Sequence, residues 1–446
     1  MRTKTGGHLG WFGVFRLGLV QTALGAIVIL CTSTLNRVIA VELALPAALP
    51  GALVGWHYAV QLSRPRWGHG ADIGGARAPW IIGGMATLAL GAIGAALSTV
   101  LMASATGWGV AAAILAFFLI GVGVGASGTN LLALLAARVA PARKAAAAAI
   151  VWIMMIVGFI ATAGVAGSLL DPFSLGRLVA VTIGVCAIAV ALATIAVLGV
   201  ERRAAAPARP ATDAPRPSFR DSLAETWADP QARLFTIFVF VAMLAYSAQD
   251  LILEPFAGLI HGYTPGESTK LAGVQNGGVL IGMIATAVLG TVIGRSRAAF
   301  MRAWTAWSCI ASAAALGVLS FGALVGAAFP LKPAVFALGL ANGAFAVAAI
   351  GSMMTLASAG GPAKEGVRMG LWGAAQASAF GLGGFLGAAA LDIARIALAE
   401  TGPAFALVFA AEGAAFVAAA FLSLAVGAGR ADAAVPMMPA DAIPAE

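Results

Sequence analysis

Charge is what this sequence has least of. Asp, Glu, Lys and Arg make up 10% of its 446 residues, against about 25% in a soluble globular domain. With 61% hydrophobic residues and a mean hydropathy of +0.96, the chain reads as an all-α polytopic membrane protein, because only helices satisfy every backbone polar group inside lipid without closing a barrel. Cysteine is scarce too. Cys31, Cys186 and Cys309 each lie in an apolar run, which excludes a disulfide framework and any metal-ligand spacing. No nucleophile–base pair, phosphate loop or metal cluster stands out, so the sequence offers no case for an enzyme. A net charge of +8 would suit a nucleic-acid partner in a soluble protein; in a chain this apolar it reads as a topology signal, with no nucleic acid implied.

What is abundant is apolar length. Runs of about 20 apolar residues span the hydrocarbon core, and they fall at about 16–43, 47–65, 79–103, 108–138, 145–170, 175–200, 231–257, 269–294, 299–328, 333–359, 366–393 and 402–428. These twelve predicted transmembrane helices divide six and six around a polar stretch rich in Pro and Ala. The expected organisation is an N-terminal half over 1–200, a cytoplasmic linker over 201–230, a C-terminal half over 231–428 and a disordered cytoplasmic tail over 429–446. Met1-Arg-Thr-Lys resembles the start of a signal peptide, but the run behind it is long, contains Asn36 and Arg37 and lacks a small-residue cleavage pattern; it is read as a true first helix. Lys and Arg concentrate on one side, for example at Arg64, Arg138, Arg143, Arg202 and Arg295, while the other side holds only Arg177, Lys270, Lys332 and Arg395. The positive-inside rule then puts both termini in the cytoplasm.

Within the oily runs a few polar residues need explaining. Tyr246-Ser-Ala-Gln-Asp-Leu-Ile-Leu-Glu-Pro-Phe256 carries Gln249, Asp250 and Glu254, and an ionisable group in a span costs about 2.5–3.5 kcal/mol on insertion scales, which makes it a candidate site. Asp250 and Glu254 are four apart, on one helix face. Pro255 removes a backbone donor, so helix 7 is expected to bend or end there. Helix 1, its counterpart in the other half, carries Asn36, Arg37 and Glu42. Polar positions in corresponding repeat helices point to the interface between halves; the alternative is a structural ion pair of Arg37 with Asp250 or Glu42. His57, beside Trp56 in helix 2, is either a packing residue or a ligand, including to a pigment magnesium. Asn130, Asn342 and Gln376 must also find partners or a ligand, and Glu412 is a lone membrane carboxylate. The glycines from Gly121 to Gly128 mimic a dinucleotide fingerprint, but inside a span they serve helix packing.

Two resemblances follow from these residues. Gly68-His-Gly-Ala-Asp72 with Arg77, between helices 2 and 3, resembles the signature of the major facilitator superfamily, which implies that fold and a cytoplasmic latch at Gly68, Asp72 and Arg77; the plain alternative is a turn with topogenic charges. More specifically, the segments Arg16-Leu-Gly-Leu to Thr34-Leu-Asn-Arg37, Tyr246 to Phe256, Gly339-Leu-Ala-Asn-Gly-Ala-Phe345 and Arg368-Met-Gly-Leu-Trp-Gly-Ala-Ala-Gln376 are similar to the bacteriochlorophyll delivery proteins of that superfamily, the PucC/LhaA type. The likeness runs from Arg16 to about Leu424. It implies a light-harvesting antenna assembly factor in the intracytoplasmic inner membrane of a phototroph, with bacteriochlorophyll or a late precursor as cargo. The implied partners are the antenna α and β polypeptides, the pigment-synthesis or membrane-insertion machinery, and lipid. A chlorin would need a greasy cleft with a few polar fixers, for which the candidates are Asn36, Arg37, Trp56, His57, Asn130, Gln249, Asp250, Glu254, Asn342, Trp372 and Gln376. Two other readings stay open. One is a proton-coupled secondary transporter of a small hydrophobic or amphipathic solute, with Asp250 or Glu254 taking the proton. The other is a structural subunit that binds antenna helices without touching pigment.

Overall fold

Apolar stripes at helical spacing give the architecture. The computed structural model describes residues 9–63, 76–140, 143–200, 224, 227–292, 297–358 and 362–426. Their helices are α1 (Trp11–Glu42), α2 (Ala48–Gln61), α3 (Ala78–Ser104), α4 (Thr106–Arg138), α5 (Lys144–Leu169) and α6 (Leu175–Val197), then α7 (Pro230–His261), α8 (Pro265–Val292), α9 (Arg297–Val325), α10 (Leu331–Ser358), α11 (Pro362–Leu398) and α12 (Thr401–Ala425). Eleven of these are long and apolar enough to cross a membrane; α2, at 14 residues, is the exception. Gly68 and Asp72 of the expected latch, most of the 201–230 linker and the 429–446 tail lie outside the described residues; Arg77 stands immediately before α3.

The two halves repeat one packing scheme. In the first, α1 packs on α5 and α6, α2 on α4, and α3 on α4 and α6; in the second, α7 packs on α11 and α12, α8 on α10, and α9 on α10 and α12. Each half has its own core. One centres on Leu17, Ile27, Leu88, Phe117 and Ile120, the other on Phe235, Phe256, Phe345, Phe405 and Phe416. The halves meet where α5 lies on α8 and α2 on α11, contacts lined by small residues such as Gly51 against Ala388 and Gly55 against Gly381. Small residues let backbones approach in lipid, where apolar side chains gain nothing by leaving the solvent. Gly339 and Gly343 do the same for α10 on α8.

Helix ends are fixed locally. Asp229 caps α7, its Oδ1 accepting from the Gln231 N–H at 2.9 Å, with Pro230 at the first helical position. At the other end Gly262, at φ 66°, terminates α7 in the left-handed conformation that glycine adopts without strain.

One expectation is corrected here. Helix α7 does not end at Pro255; it continues to His261. The reason lies in the neighbouring helix. Proline cannot donate to the carbonyl four residues back, that of Leu251, and the Asn36 side chain of α1 supplies the donor instead, its Nδ2 at 2.7 Å from the Leu251 oxygen. A neighbouring polar side chain thus re-satisfies the freed backbone group, as a membrane span requires.

Candidate functional site

Helix α1 is irregular where it carries its polar residues. Two π-helical turns, Leu30–Thr34 and Val38–Glu42, flank Leu35–Arg37. Each such turn takes in an extra residue and shifts the register of the helix face. Residues 33–40 are buried without a break, because this segment is enclosed by its own half on one side and by α7 and α8 on the other. Thr34 meets Thr269 of α8, hydroxyl to hydroxyl, at 3.0 Å. Asn36 holds the Leu251 carbonyl as described. Arg37, 2% exposed, pairs with Glu42 at 2.9 Å and donates to the Tyr263 carbonyl at 2.7 Å. Its guanidinium lies over Gly258, where a Cβ would fall 2.5 Å from the Arg37 Nε. That glycine is required by close approach, not by its backbone angles. Of the two pairings open to Arg37 in the sequence, the structure makes the one with Glu42.

Further polar bonds tie the halves together at the same end of the bundle, where α1 finishes and α2 begins. The Asp392 carboxylate of α11 accepts from the backbone N–H of Ala47 at 3.1 Å and of Ala48 at 2.7 Å, the N-terminus of α2. Asp171, in the α5–α6 turn, accepts from the Thr264 hydroxyl at 2.8 Å, and Lys270 stands 4.0 Å from its other oxygen. Glu254, 3% exposed, accepts from the Ser268 hydroxyl at 3.2 Å and lies within electrostatic reach of Arg37.

Deeper in the interface stands Asp250. Its side chain is only partly buried, unlike those of Gln249 and Leu251 on either side, and it lies near the Gln275 side chain of α8. One turn away is Tyr246, whose ring is 5.9 Å from that of Phe380 on α11; Phe380 in turn is 5.7 Å from Tyr58 on α2. Three aromatic rings from α2, α7 and α11 therefore form a wall beside one carboxylate and one amide. Such a mixture of apolar area and a few polar groups is what an amphipathic, ring-shaped ligand needs.

The other candidates are placed elsewhere. Trp56 is 42% exposed on the outside of the bundle, stacked on Phe118 and donating to the Ile114 carbonyl. His57 is buried, its Nδ1 donating to the Val54 carbonyl at 2.6 Å in its own helix. It is Tyr58, the next residue, that faces the other half. Trp372 is sunk in the core of the C-terminal half, bonded to the Thr236 hydroxyl at 3.1 Å and edge-on to Phe235. Gln376 reaches the Met243 sulfur at 3.9 Å, and Asn130 donates to the Ala126 carbonyl one turn back. Gln249 and Asn342 are wholly buried. The sequence reading missed Tyr58, Phe380, Gln275, Asp171 and Asp392. Of these, Gln275 and Asp392 had a signal, being polar residues in predicted spans.

Comparison with known proteins places the chain. The sequence model of one family, described as PUCC protein, matches residues 34–430. The chain is 51% identical to a protein named bacteriochlorophyll synthase 44.5 kDa chain from Rhodobacter capsulatus, over 96% of this chain and 98% of that one. It is 30% identical to Protein PucC of the same organism, over 83% of this chain and 81% of that one. Among solved structures, a mutant of the nucleoside transporter NupG superposes with a TM-score of 0.70 at 14% identity, over 93% of this chain and 99% of the other. At that identity the likeness speaks for the fold alone, and the fold is that of the major facilitator superfamily.

Proposed function

The chain belongs to the PUCC protein family, and from that premise we propose that it is an assembly factor for light-harvesting antennae. In this proposal it binds bacteriochlorophyll or a late precursor as cargo and hands it to the antenna polypeptides in a bacterial inner membrane, with both termini cytoplasmic. The division into halves over 1–200 and 231–428, joined by the 201–230 linker, belongs to the same proposal. The observation that carries it is the pairing of Asp250 and Gln275 with the Tyr58–Phe380–Tyr246 wall at the junction of the two halves. A chlorin presents a broad apolar face to aromatic rings and a few polar groups to a neighbouring carboxylate and amide. The chain would bind and orient; no bond-making step is assigned to it.

The test is a near-infrared absorption spectrum of the tagged protein, purified in mild detergent from phototrophic cells that lack antenna. The expected result is a bacteriochlorophyll band in stoichiometric amount, lost in Asp250→Asn and in Tyr246→Ala Phe380→Ala, with the protein still folded by circular dichroism. A colourless, folded wild type would refute the cargo reading. A second reading, a proton-coupled transporter, is favoured by the partly buried carboxylate of Asp250 in a fold shared with transporters. It predicts proton-linked solute uptake that Asp250→Asn abolishes while antenna assembly continues.

A further inference from the structure

At the end of the bundle where α1 finishes and α2 begins, both helix pairs that join the halves close backbone to backbone. On α2 against α11, a Cβ at Gly51 would fall 3.2 Å from the Phe385 Cα, and one at Gly55 would fall 3.0 Å from the Gly381 carbonyl oxygen. On α5 against α8, a Cβ at Gly167 would fall 2.7 Å from the Gly266 carbonyl oxygen. Glycine is what lets the chains come this close. The two cores also interlock there. Leu251 of α7 packs in the core of the first half, while Ala40 and Ala47, at the end of α1 and the start of α2, pack in the core of the second.

The polar bonds across this end share a feature. Most have a backbone group as one partner: the Leu251 carbonyl for Asn36, the Tyr263 carbonyl for Arg37, and the Ala47 and Ala48 N–H groups for Asp392. A gate made of paired side chains can part and re-pair within each half. These backbone groups have no such second choice. The Leu251 carbonyl has lost its helical donor to Pro255, and the N–H groups of Ala47 and Ala48 stand at the start of α2, where a helix has no internal acceptor for them. Water is the one substitute, and admitting it would wet the interlocked apolar residues as well.

Burial ends one turn away. Thr34, Asn36 and Arg37 of α1, residues 251–257 of α7, and Ser268 and Thr269 of α8 are all buried. Asp250, Gln275, Tyr246, Tyr58 and Phe380 are each partly exposed. The aromatic wall therefore lies against a sealed layer and opens away from it.

We propose that this seam is fixed: the halves do not part there during function, and the aromatic wall is reached and left only from the end where α1 and α7 begin. With both termini cytoplasmic, the chain is a one-sided carrier. It takes up and releases an amphipathic ring on the cytoplasmic side and passes nothing across the membrane. The carrier part of this statement rests on the cargo reading given above; the seam does not. A proton-coupled transporter, by contrast, has to open both ends in turn.

The test locks the seam. In a chain carrying Cys31→Ala, Cys186→Ala and Cys309→Ala, the pair Thr34→Cys and Thr269→Cys replaces two hydroxyls that stand 3.0 Å apart on α1 and α8, within reach of a disulfide. The purified full-length protein is oxidised, and bacteriochlorophyll loading from phosphatidylcholine vesicles and release to them are compared before and after reduction. The expected result is no loss of either in the locked form. A loss on oxidation that reduction restores overturns the proposal. Should that pair not fold, Asp171→Cys with Thr264→Cys, on turns that are at least partly exposed, is bridged by a short bifunctional thiol reagent and read in the same way. A colourless wild type ends the cargo reading and leaves the seam to a second measurement. That measurement is reaction of Thr269→Cys with a membrane-permeant maleimide in native membranes, with the exposed Thr264→Cys as the reactive control. Thr269→Cys should stay unlabelled while the control reacts; labelling of Thr269→Cys overturns the proposal.

Discussion

Replacing Asn36 by leucine should destabilise the protein only because residue 255 is a proline. The Asn36 Nδ2 is the donor that the Leu251 carbonyl receives in place of the missing Pro255 N–H. Leucine is close in size but leaves that carbonyl buried and unpaired, at a cost of about 1–3 kcal/mol. Two effects pull toward the lower end. The Asn36 Oδ1 is itself buried without a donor among the described residues, so its removal relieves a penalty. Interhelical hydrogen bonds in a membrane also average only about 0.6 kcal/mol, with a maximum near 1.7. We therefore expect Asn36→Leu to cost about 1 kcal/mol, or a Tm lowered by about 2–4 °C for a cooperative unit the size of one half. Pro255→Ala restores the backbone N–H, and in that background Asn36→Leu should cost next to nothing. The assay is a double-mutant cycle by thermal or SDS-titrated unfolding in mixed micelles. If Asn36→Leu costs the same with alanine at 255 as with proline, the account of why α7 continues through Pro255 is wrong.

Two further outcomes follow from the same end of the molecule. Gly258→Ala places a Cβ against an Arg37 guanidinium pinned by Glu42 and the Tyr263 carbonyl, and should cost about 1–3 kcal/mol by overpacking; Arg37→Ala should remove most of that cost, which a thermal melt of the single and double variants decides. Asp171→Asn weakens the link to Thr264 and Lys270, but these groups are partly exposed, so its stability should change by less than about 1 kcal/mol; a larger loss would mean that this turn bears more of the contact between halves than its geometry indicates.

Much of this protein is readable without coordinates. Apolar run length sets the number of helices, because the hydrocarbon core sets how many residues must cross it. Between helices 1 and 7, Asn36 reaches the Leu251 carbonyl and Glu254 lies within electrostatic reach of Arg37. Periodicity also fixes which face of a helix is buried: Gln249 and Glu412 could be assigned to inner stripes from spacing alone. The roster of ligand candidates, by contrast, does not line one cleft. Trp56 and Trp372 look alike in sequence as bulky indoles in apolar runs; one is outside the bundle and the other in a core.

What the sequence by itself determined, then, is the solvent, the helices, their faces and the few places where charge enters lipid. These depend on local length and period, which any segment carries within itself. What only the tertiary structure decided is who stands opposite whom: Glu42 and the Tyr263 carbonyl for Arg37, Asn36 for the carbonyl stranded by Pro255, and Ser312 for Asn342. Those partners come from helices far apart along the chain, and a helix's own spacing says which side it turns inward but not which neighbour fills the space it faces.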